Sequence, residues 1–216
     1  MTQRVTFFGS LQSPYCYFAL DRLDALVRDH GVEVVMRPVL PGVIRIPDAY
    51  ADRGPKEQAY FSLDAVRTAA FLGLPYAEPA PSPVNWMPGS LWIATDEQAR
   101  IKRLYNMLWQ VRGPDQYALY SALMRRIWSG QHPGWDQPEQ IGALLSGCGL
   151  PEALADQPDE LLPEAEGYFA ENQKAMFNAG HWGVPLFEYQ GQPFYGQDRL
   201  DQLCWAIRQV QTANAL

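Results

Sequence analysis

The fold is decided by one stretch near the N-terminus, residues 4–38, with the sequence RVTFFGSLQSPYCYFALDRLDALVRDHGVEVVMRP. Residues 4–8 are β-branched and aromatic, which predicts a short buried strand. Ser13-Pro14 then opens a helix, because Ser favours the N-cap and Pro the first helical position. Residues 32–37 predict a second strand. Strand, helix and strand within about 35 residues form a βαβ unit, which implies parallel pairing through a right-handed crossover.

The composition excludes several classes of protein. Of the 216 residues, 47% are hydrophobic and 19% are charged, so the chain can bury a large core without disulfides or a metal. The net charge of -7 would repel a nucleic-acid backbone. No apolar run reaches the roughly 18 residues of a membrane helix, and no secretory signal is present. Three widely spaced cysteines, Cys16, Cys148 and Cys204, fit a reducing compartment, so a cytoplasmic protein is expected.

A helical block follows the βαβ unit and precedes a second β region. Apolar residues at spacings of three and four predict helices over residues 55–73, 95–112, 115–130, 138–148 and 159–179. Residues 184–189 then predict a strand, residues 190–192 a tight turn and residues 193–195 the return strand. Asp198 is predicted to cap a final helix. The two ends would complete one small mixed sheet, with the helical block inserted between them.

The first candidate site is Ser13-Pro14-Tyr15-Cys16, where the first strand passes into the first helix. Free N–H groups and the positive end of the helix dipole meet there, and they favour an anion, including a thiolate. Ser13 can donate a hydrogen bond to such a sulfur. Alternatively, Ser13 is only an N-cap, since a Ser hydroxyl is a poor nucleophile without an adjacent base.

Two segments near the C-terminus are further candidates. Val184-Pro185 is a candidate cis peptide that would leave the N–H and C=O of Val184 free to pair with a peptide-like ligand. The alternative is a trans proline at the start of a strand. Asp198, assisted by Gln197, could receive the ammonium group of a ligand, or it could be a plain helix cap.

A stripe on one face of the 55–73 helix is the fourth candidate, since spacings of 4, 4 and 3 align its side chains. A solvated face with ion pairing is the alternative explanation. The stripe consists of Lys56, Tyr60, Asp64 and Arg67. The sequence has no G-x-G-x-x-G, Walker, G-x-S-x-G or H-E-x-x-H motif. Its three histidines lack metal-ligand spacing, so no metal is expected.

Segments in matching order along nearly the whole chain resemble the 2-hydroxychromene-2-carboxylate isomerases and kappa-class glutathione transferases. The resemblance implies an α/β fold of the DsbA-like thioredoxin type (βαβ … ββα) with a large all-helical insertion. It divides the chain into a thioredoxin-like domain, residues 1–40 and 180–216, and an inserted helical domain, residues 41–179. The segments are Ser13-Pro14-Tyr15-Cys16-Tyr17, Lys56-x3-Tyr60-x3-Asp64-x2-Arg67, Gly73-Leu74-Pro75, Pro83-Val84-Asn85, Gly183-Val184-Pro185 and Phe194-Tyr195-Gly196-Gln197-Asp198-Arg199-Leu200.

The resemblance also implies a glutathione site. Ser13 would replace the first cysteine of a thioredoxin-type C-x-x-C and, as the catalytic residue, hydrogen-bond the glutathione sulfur. Val184, before a cis Pro185, would pair its backbone with the tripeptide. The other implied contacts are Gln197 and Asp198 for the γ-glutamyl end, Lys56 for a glutathione carboxylate, and Tyr60 and Asn85 for the second substrate.

This chain departs from the family pattern at three places. Cys16 stands where these families usually have Ser, and Ser10 stands where they have Asp. The Asn that the families place nine residues before their Lys is absent, and Pro47 or Asp48 occupies that region.

The function expected from the resemblance is glutathione-dependent isomerisation of an unsaturated aromatic acid such as 2-hydroxychromene-2-carboxylate. The thiolate would add to a conjugated carbon, the former double bond would rotate, and the thiolate would leave. Three alternatives stay open: conjugation of glutathione to electrophiles, DsbA-like thiol–disulfide exchange, from which Ser13 removes one partner, and a non-catalytic glutathione- or peptide-binding module. Relatives are often dimers, so a homodimer is among the expected partners.

Overall fold

The two predicted β regions form one four-stranded sheet in the computed structural model, which describes residues 3–214. The sheet order is β2-β1-β3-β4. β1 pairs in parallel with β2 and antiparallel with β3, and β3 pairs antiparallel with β4. This confirms the predicted mixed sheet. The strands are β1 (Arg4–Gly9), β2 (Glu33–Pro38), β3 (Leu186–Tyr189) and β4 (Gln192–Tyr195).

Eight α-helices accompany the sheet within the described residues. Five of them begin at a proline, whose fixed φ suits the first turn and whose missing N–H would have no helical partner there. Three short 3-10 turns cover residues 47–49, 152–155 and 197–199. The helices are α1 (Pro14–His30), α2 (Gly42–Arg45), α3 (Pro55–Leu72), α4 (Ala99–Gln110), α5 (Pro114–Trp128), α6 (Pro138–Gly147), α7 (Pro163–Asn178) and α8 (Leu200–Asn214).

Two helices start four residues later than the apolar spacing predicts. α4 begins at Ala99 rather than at residue 95 because the preceding segment is held in a loop. There, the backbone N–H of Thr95 and the side-chain amide of Gln98 both donate to the carbonyl of Asn85, at 3.0 and 2.8 Å. α7 begins at Pro163 rather than at residue 159, at the position a proline prefers.

The start of the last helix also differs from the prediction. Asp198 lies inside the 3-10 turn of residues 197–199, and α8 begins only at Leu200. Gly196 precedes the turn with a φ of 102°, a conformation that side-chain-bearing residues rarely adopt. Its N–H donates to the carbonyl of Pro185 at 2.9 Å. The chain direction is therefore set by Gly196, which takes the N-cap position of the turn in place of Asp198.

The helical block packs directly on the sheet. Phe7 of β1 is fully buried, stacks on Phe187 of β3 at 5.2 Å, and meets the ring of Tyr120 from α5 edge-on at 5.6 Å. Asn172 of α7 donates to the carbonyl of Pro38 at the end of β2, at 2.9 Å. A single buried cluster thus includes both the sheet and the block. The division at residues 40/41 and 179/180 stays a prediction.

None of the helices described within residues 3–214 combines the length and apolar character needed to cross a membrane.

Candidate functional site

A cavity of about 430 Å³ opens where β1 passes into α1. Ser10 and Ser13 lie on one wall, and Val184, from the loop before β3, lies on another, so residues distant in sequence meet there. The rest of the lining is mainly aromatic, which suits a small aromatic ligand that a few polar groups orient. The aromatic residues are Tyr15, Tyr50, Phe61, Trp86, Trp92, Trp128, Trp182 and Tyr195.

Ser13 occupies the N-cap position of α1, with φ -98° and ψ 112°. Its carbonyl accepts the N–H of Cys16 at 3.0 Å, as an N-cap carbonyl does. Its side chain, however, makes no capping hydrogen bond to the helix. Ser13 is half-buried and lines the cavity. Because its hydroxyl accepts no hydrogen bond from a backbone N–H of the helix, it is available to a ligand.

Cys16 lies one turn deeper and is fully buried. Burial raises the pKa of its thiol to about 11, although hydrogen bonds from Ser10, Ser13 and Tyr120 oppose part of that rise. The thiol is therefore protonated at neutral pH, despite its place in the first turn of a helix. A helix N-terminus generally stabilises a thiolate, but here the cost of removing the charged sulfur from water is larger.

Helices α4 and α5 fix the loop that leads into α1. The N–H of Leu11 donates to the hydroxyl of Tyr105 at 3.3 Å, and the Leu11 carbonyl accepts the indole N–H of Trp128 at 2.9 Å. The hydroxyl of Tyr120 donates to the carbonyl of Ser10 at 3.2 Å. Each of these polar groups is buried, so removing its partner would leave it unsatisfied. The position of the cavity wall thus depends on the helical block.

The loop before β3 presents an unpaired peptide group to the cavity. Val184–Pro185 is a cis peptide. Within residues 3–214, neither the N–H nor the C=O of Val184 takes part in a hydrogen bond. The neighbouring groups are held in place, because the N–H of Gly183 donates to Nδ1 of His181 at 2.8 Å and the Pro185 carbonyl accepts from Gly196. His181 thus stabilises the loop.

Arg45 does not line the cavity, but it links two segments that do, and the sequence did not reveal this role. From α2, its guanidinium donates to the carbonyl of Leu40 at 3.0 Å and to that of Trp182 at 2.6 Å. It therefore ties the end of β2 to the loop before β3. Its Nη1 is buried and has no hydrogen-bond partner within residues 3–214. Burial lowers the pKa of Arg45.

Asp64 and Arg67 of the α3 stripe anchor that helix to α1. The hydroxyl of Tyr15 donates to the Asp64 carboxylate at 2.6 Å, and Arg67 pairs with the same carboxylate at 2.9 Å. The hydrogen bond from Tyr15 is the main reason that the pKa of Asp64 is lowered. The other two residues, Lys56 and Tyr60, line a shallower pocket that shares Tyr15 with the cavity.

Replacing Tyr15 with phenylalanine is expected to lower the free energy of unfolding by about 1–2 kcal/mol at pH 7, because it removes a hydrogen bond to a carboxylate near the surface. The folded-state pKa of Asp64 lies below its ordinary 3.8. The contribution of this carboxylate is therefore present above that pH and is lost as the pH falls through the folded-state pKa. Urea unfolding at pH 7 and pH 3 should show the difference between variant and wild type narrowing at pH 3.

Tyr189→Phe is the matched control for this experiment, because the buried hydroxyl of Tyr189 has no hydrogen-bond partner in the described chain. Its loss should not destabilise the protein. A Tyr15→Phe deficit that is as large at pH 3 as at pH 7 would contradict the assignment to the Asp64 carboxylate.

Asn85 lies outside the cavity wall. It borders a separate surface pocket, and both ends of its amide already form hydrogen bonds. Its Nδ2 donates to the carbonyl of Glu97 at 2.9 Å, and its Oδ1 accepts from Arg100 at 3.1 Å. The structure does not bring Asn85 together with Ser13.

Gln197 and Asp198 lie just beyond Tyr195, whose ring lines the cavity, but neither borders the cavity itself. The side chain of Gln197 accepts a hydrogen bond from Arg22 of α1. The Asp198 carboxylate is exposed and lies 3.5 Å from the guanidinium of Arg199. A ligand reaching both residues would have to extend past the cis-proline loop.

Comparison with known proteins agrees with this architecture. The family model described as the DSBA-like thioredoxin domain matches residues 4–208. A 2-hydroxychromene-2-carboxylate isomerase from Sphingobium xenophagum is 27% identical over 217 residues, which cover 94% of this chain and 97% of the relative.

Solved structures share the fold. A 2-hydroxychromene-2-carboxylate isomerase superposes with a TM-score of 0.70 at 20% identity and covers 98% of each chain. The cytosolic disulfide reductase DsbM from Pseudomonas aeruginosa, solved with GSH, superposes with a TM-score of 0.58 at 16% identity, over 99% of this chain and 100% of that one. The DsbA-like thioredoxin fold with a helical insertion is thereby confirmed, and so is the resemblance to the isomerases. The chain belongs to the DsbA-like thioredoxin-domain family.

Proposed function

We propose that this protein is a glutathione-dependent isomerase of an unsaturated aromatic acid of the 2-hydroxychromene-2-carboxylate type. The observation that carries the proposal is Ser13, a hydroxyl in place of a thiol, on the wall of an aromatic cavity at the start of α1. An isomerisation has no net redox change, so one sulfur is sufficient for it. The 27% identical relative named for this reaction supports the choice of substrate class.

The residues around the cavity fit glutathione. The free N–H and C=O of Val184 offer the donor and acceptor that a peptide backbone requires. The N-terminus of α1 favours an anionic sulfur, and Lys56, in the adjoining pocket, supplies a cation for a carboxylate. The relative DsbM has been solved with GSH, which is consistent with this ligand.

The role of the glutathione, when bound, would be to supply a thiolate that adds to a conjugated carbon and departs after rotation about the former double bond. Ser13 would donate a hydrogen bond to the sulfur and stabilise its anionic form. Val184 and the cis Pro185 would hold the tripeptide backbone, and Lys56 a carboxylate. The γ-glutamyl end would go to Gln197 and Asp198.

The remaining residues of the site would bind the second substrate and determine which reaction takes place. The aromatic walls would exclude water and hold a flat ring, and Tyr60, at the adjoining pocket, would face that substrate. Cys16 is enclosed and protonated, so it offers no accessible thiolate for disulfide exchange. Both ends of the Asn85 amide are bonded to Glu97 and Arg100, so the proposal assigns no substrate contact to Asn85.

The proposal is tested by incubating the purified protein with 2-hydroxychromene-2-carboxylate, with and without glutathione. We expect a product of unchanged mass to form only with glutathione, and the thiol concentration to stay constant. S-methylglutathione, which has no free thiol, is the control and should give no turnover. Stoichiometric loss of thiol would instead indicate conjugation, and absence of turnover with glutathione would contradict both enzymatic functions.

A further inference from the structure

The lining of the cavity includes a cationic side chain, Arg53, that has no role in the proposed binding of glutathione. Arg53 and Glu78 are the only charged residues in its lining within the described part of the chain. Glu78 accepts a hydrogen bond from the hydroxyl of Tyr76 at 2.6 Å. The backbone N–H of Arg53 donates to the carbonyl of Tyr50 at 3.1 Å, but its guanidinium makes no hydrogen bond or ion pair with any residue between 3 and 214. The guanidinium N–H groups of Arg53 are therefore free to bind a ligand.

Two aromatic rings hold this guanidinium in place. The Cζ atom of Arg53 lies 4.7 Å from the ring centroid of Tyr50 and 4.8 Å from that of Trp92. The two rings themselves stack, with centroids 5.9 Å apart and planes inclined by 24°. Contacts between a guanidinium and aromatic rings are attractive and leave the N–H edge of the group accessible. The side chain is thus positioned before a ligand arrives, which reduces the entropy lost on binding.

We infer that Arg53 binds the carboxylate of the aromatic acid substrate and thereby determines specificity for an acid over a neutral analogue. This inference rests on the proposed function. The planar fork of arginine matches a carboxylate with two parallel hydrogen bonds. The ring of the same ligand would lie against the aromatic side chains of the cavity next to Arg53, among them Trp92, whose ring also meets Phe61 at 5.2 Å.

A second cationic side chain, Lys56, allows the carboxylate of the aromatic acid and a carboxylate of glutathione to bind at separate places. Lys56 lies three residues after Arg53 and lines the adjoining pocket but not the main cavity. Arg53 lines both. Arg53, which reaches the aromatic cavity, suits the aromatic acid, and Lys56, which lines only the adjoining pocket, suits a carboxylate of glutathione.

The test measures binding by calorimetry without turnover, with 2-hydroxycinnamate and its neutral amide as probes. Wild-type protein is expected to bind the acid more tightly than the amide. Arg53→Gln should weaken binding of the acid by roughly 10- to 100-fold, the range for loss of a charged hydrogen-bond pair. Its binding of the amide and of glutathione should be unchanged. Arg53→Lys keeps the positive charge but not the planar guanidinium, so it should retain part of the preference for the acid over the amide.

Arg112→Gln is the matched control. The Arg112 guanidinium also lies over two aromatic rings, 4.4 Å from the centroid of Tyr168 and 5.7 Å from that of Trp109, but outside the cavity lining. It should leave the preference for the acid intact. The inference is overturned if wild type does not prefer the acid, or if Arg53→Gln keeps that preference. Weakened glutathione binding with the preference intact would assign Arg53 to glutathione instead. These binding outcomes are independent of whether isomerase turnover is found.

Discussion

Replacing Ser13 with alanine is expected to lower kcat/KM for glutathione-dependent isomerisation by about 10²- to 10³-fold, the usual effect of removing one preorganised donor from a developing or bound anion. The hydroxyl faces the cavity and does not cap the helix, so its loss affects the ligand rather than α1. Without this donor the pKa of a bound thiol rises. The acidic limb of the pH profile of kcat/KM should therefore move to higher pH, which a purely structural role would not produce.

Ser62→Ala is the control for this experiment, because it removes another hydroxyl from the lining of the same cavity. It should change neither the rate nor the pH profile. Ser13→Thr, which keeps a hydroxyl, should retain more activity than Ser13→Ala. Thermal unfolding of Ser13→Ala should stay within about 0.5 kcal/mol of wild type, as for substitutions that break no buried contact. Unchanged turnover and an unchanged pH profile would remove Ser13 from the mechanism.

The fold was predictable where local sequence determines it. Residues 4–38 carry the strand propensity, the Ser-Pro helix start and the second strand within one continuous segment, and β1, α1 and β2 form there. The predictions failed where a distant contact decides the backbone. Gln98 folds back onto Asn85 and delays α4, and Gly196 pairs with Pro185 and displaces the start of the last helix. Apolar spacing contains no information about such contacts.

The site was predictable only in part, for a similar reason. Ser13 and Val184 lie on the same cavity, as the resemblance implied. Arg45 and Arg53 were missed because their roles depend on which rings and carbonyls the helical block brings near them. One signal was available: both residues follow β2, and in α/β sheets ligands bind beyond the carboxyl ends of parallel strands. Applied to residues 40–54, that rule would have indicated this segment.

Replacing Ser13 with cysteine is expected to convert the protein into a dithiol reductase. The variant carries Cys-Pro-Tyr-Cys, with residue 13 at the N-cap of α1 and Cys16 in the first turn of that helix. A thiol at the N-cap position would gain the anion-stabilising field of α1, which lowers thiol pKa values at helix N-termini. It would attack a substrate disulfide, and Cys16, which is closed to external disulfides but lies in the first helical turn next to residue 13, would resolve the mixed disulfide within the protein. Insulin reduction coupled to reduced glutathione should rise from near background to a readily measured rate.

Cys16 is expected to resolve the mixed disulfide in the Ser13→Cys variant but to take no part in catalysis in the wild type. Ser13→Cys combined with Cys16→Ser should react once with glutathione disulfide and then keep the mixed disulfide, which mass spectrometry would detect as added glutathione. In the wild-type background, Cys16→Ser should leave isomerisation nearly unchanged, because a thiol with a pKa of about 11 and no exposure does not enter the chemistry. If Cys16→Ser alone abolished isomerisation, or if wild type reduced insulin as fast as Ser13→Cys, the single-sulfur mechanism would be wrong. The identity of residue 13 would then not be what separates isomerase from reductase on this fold.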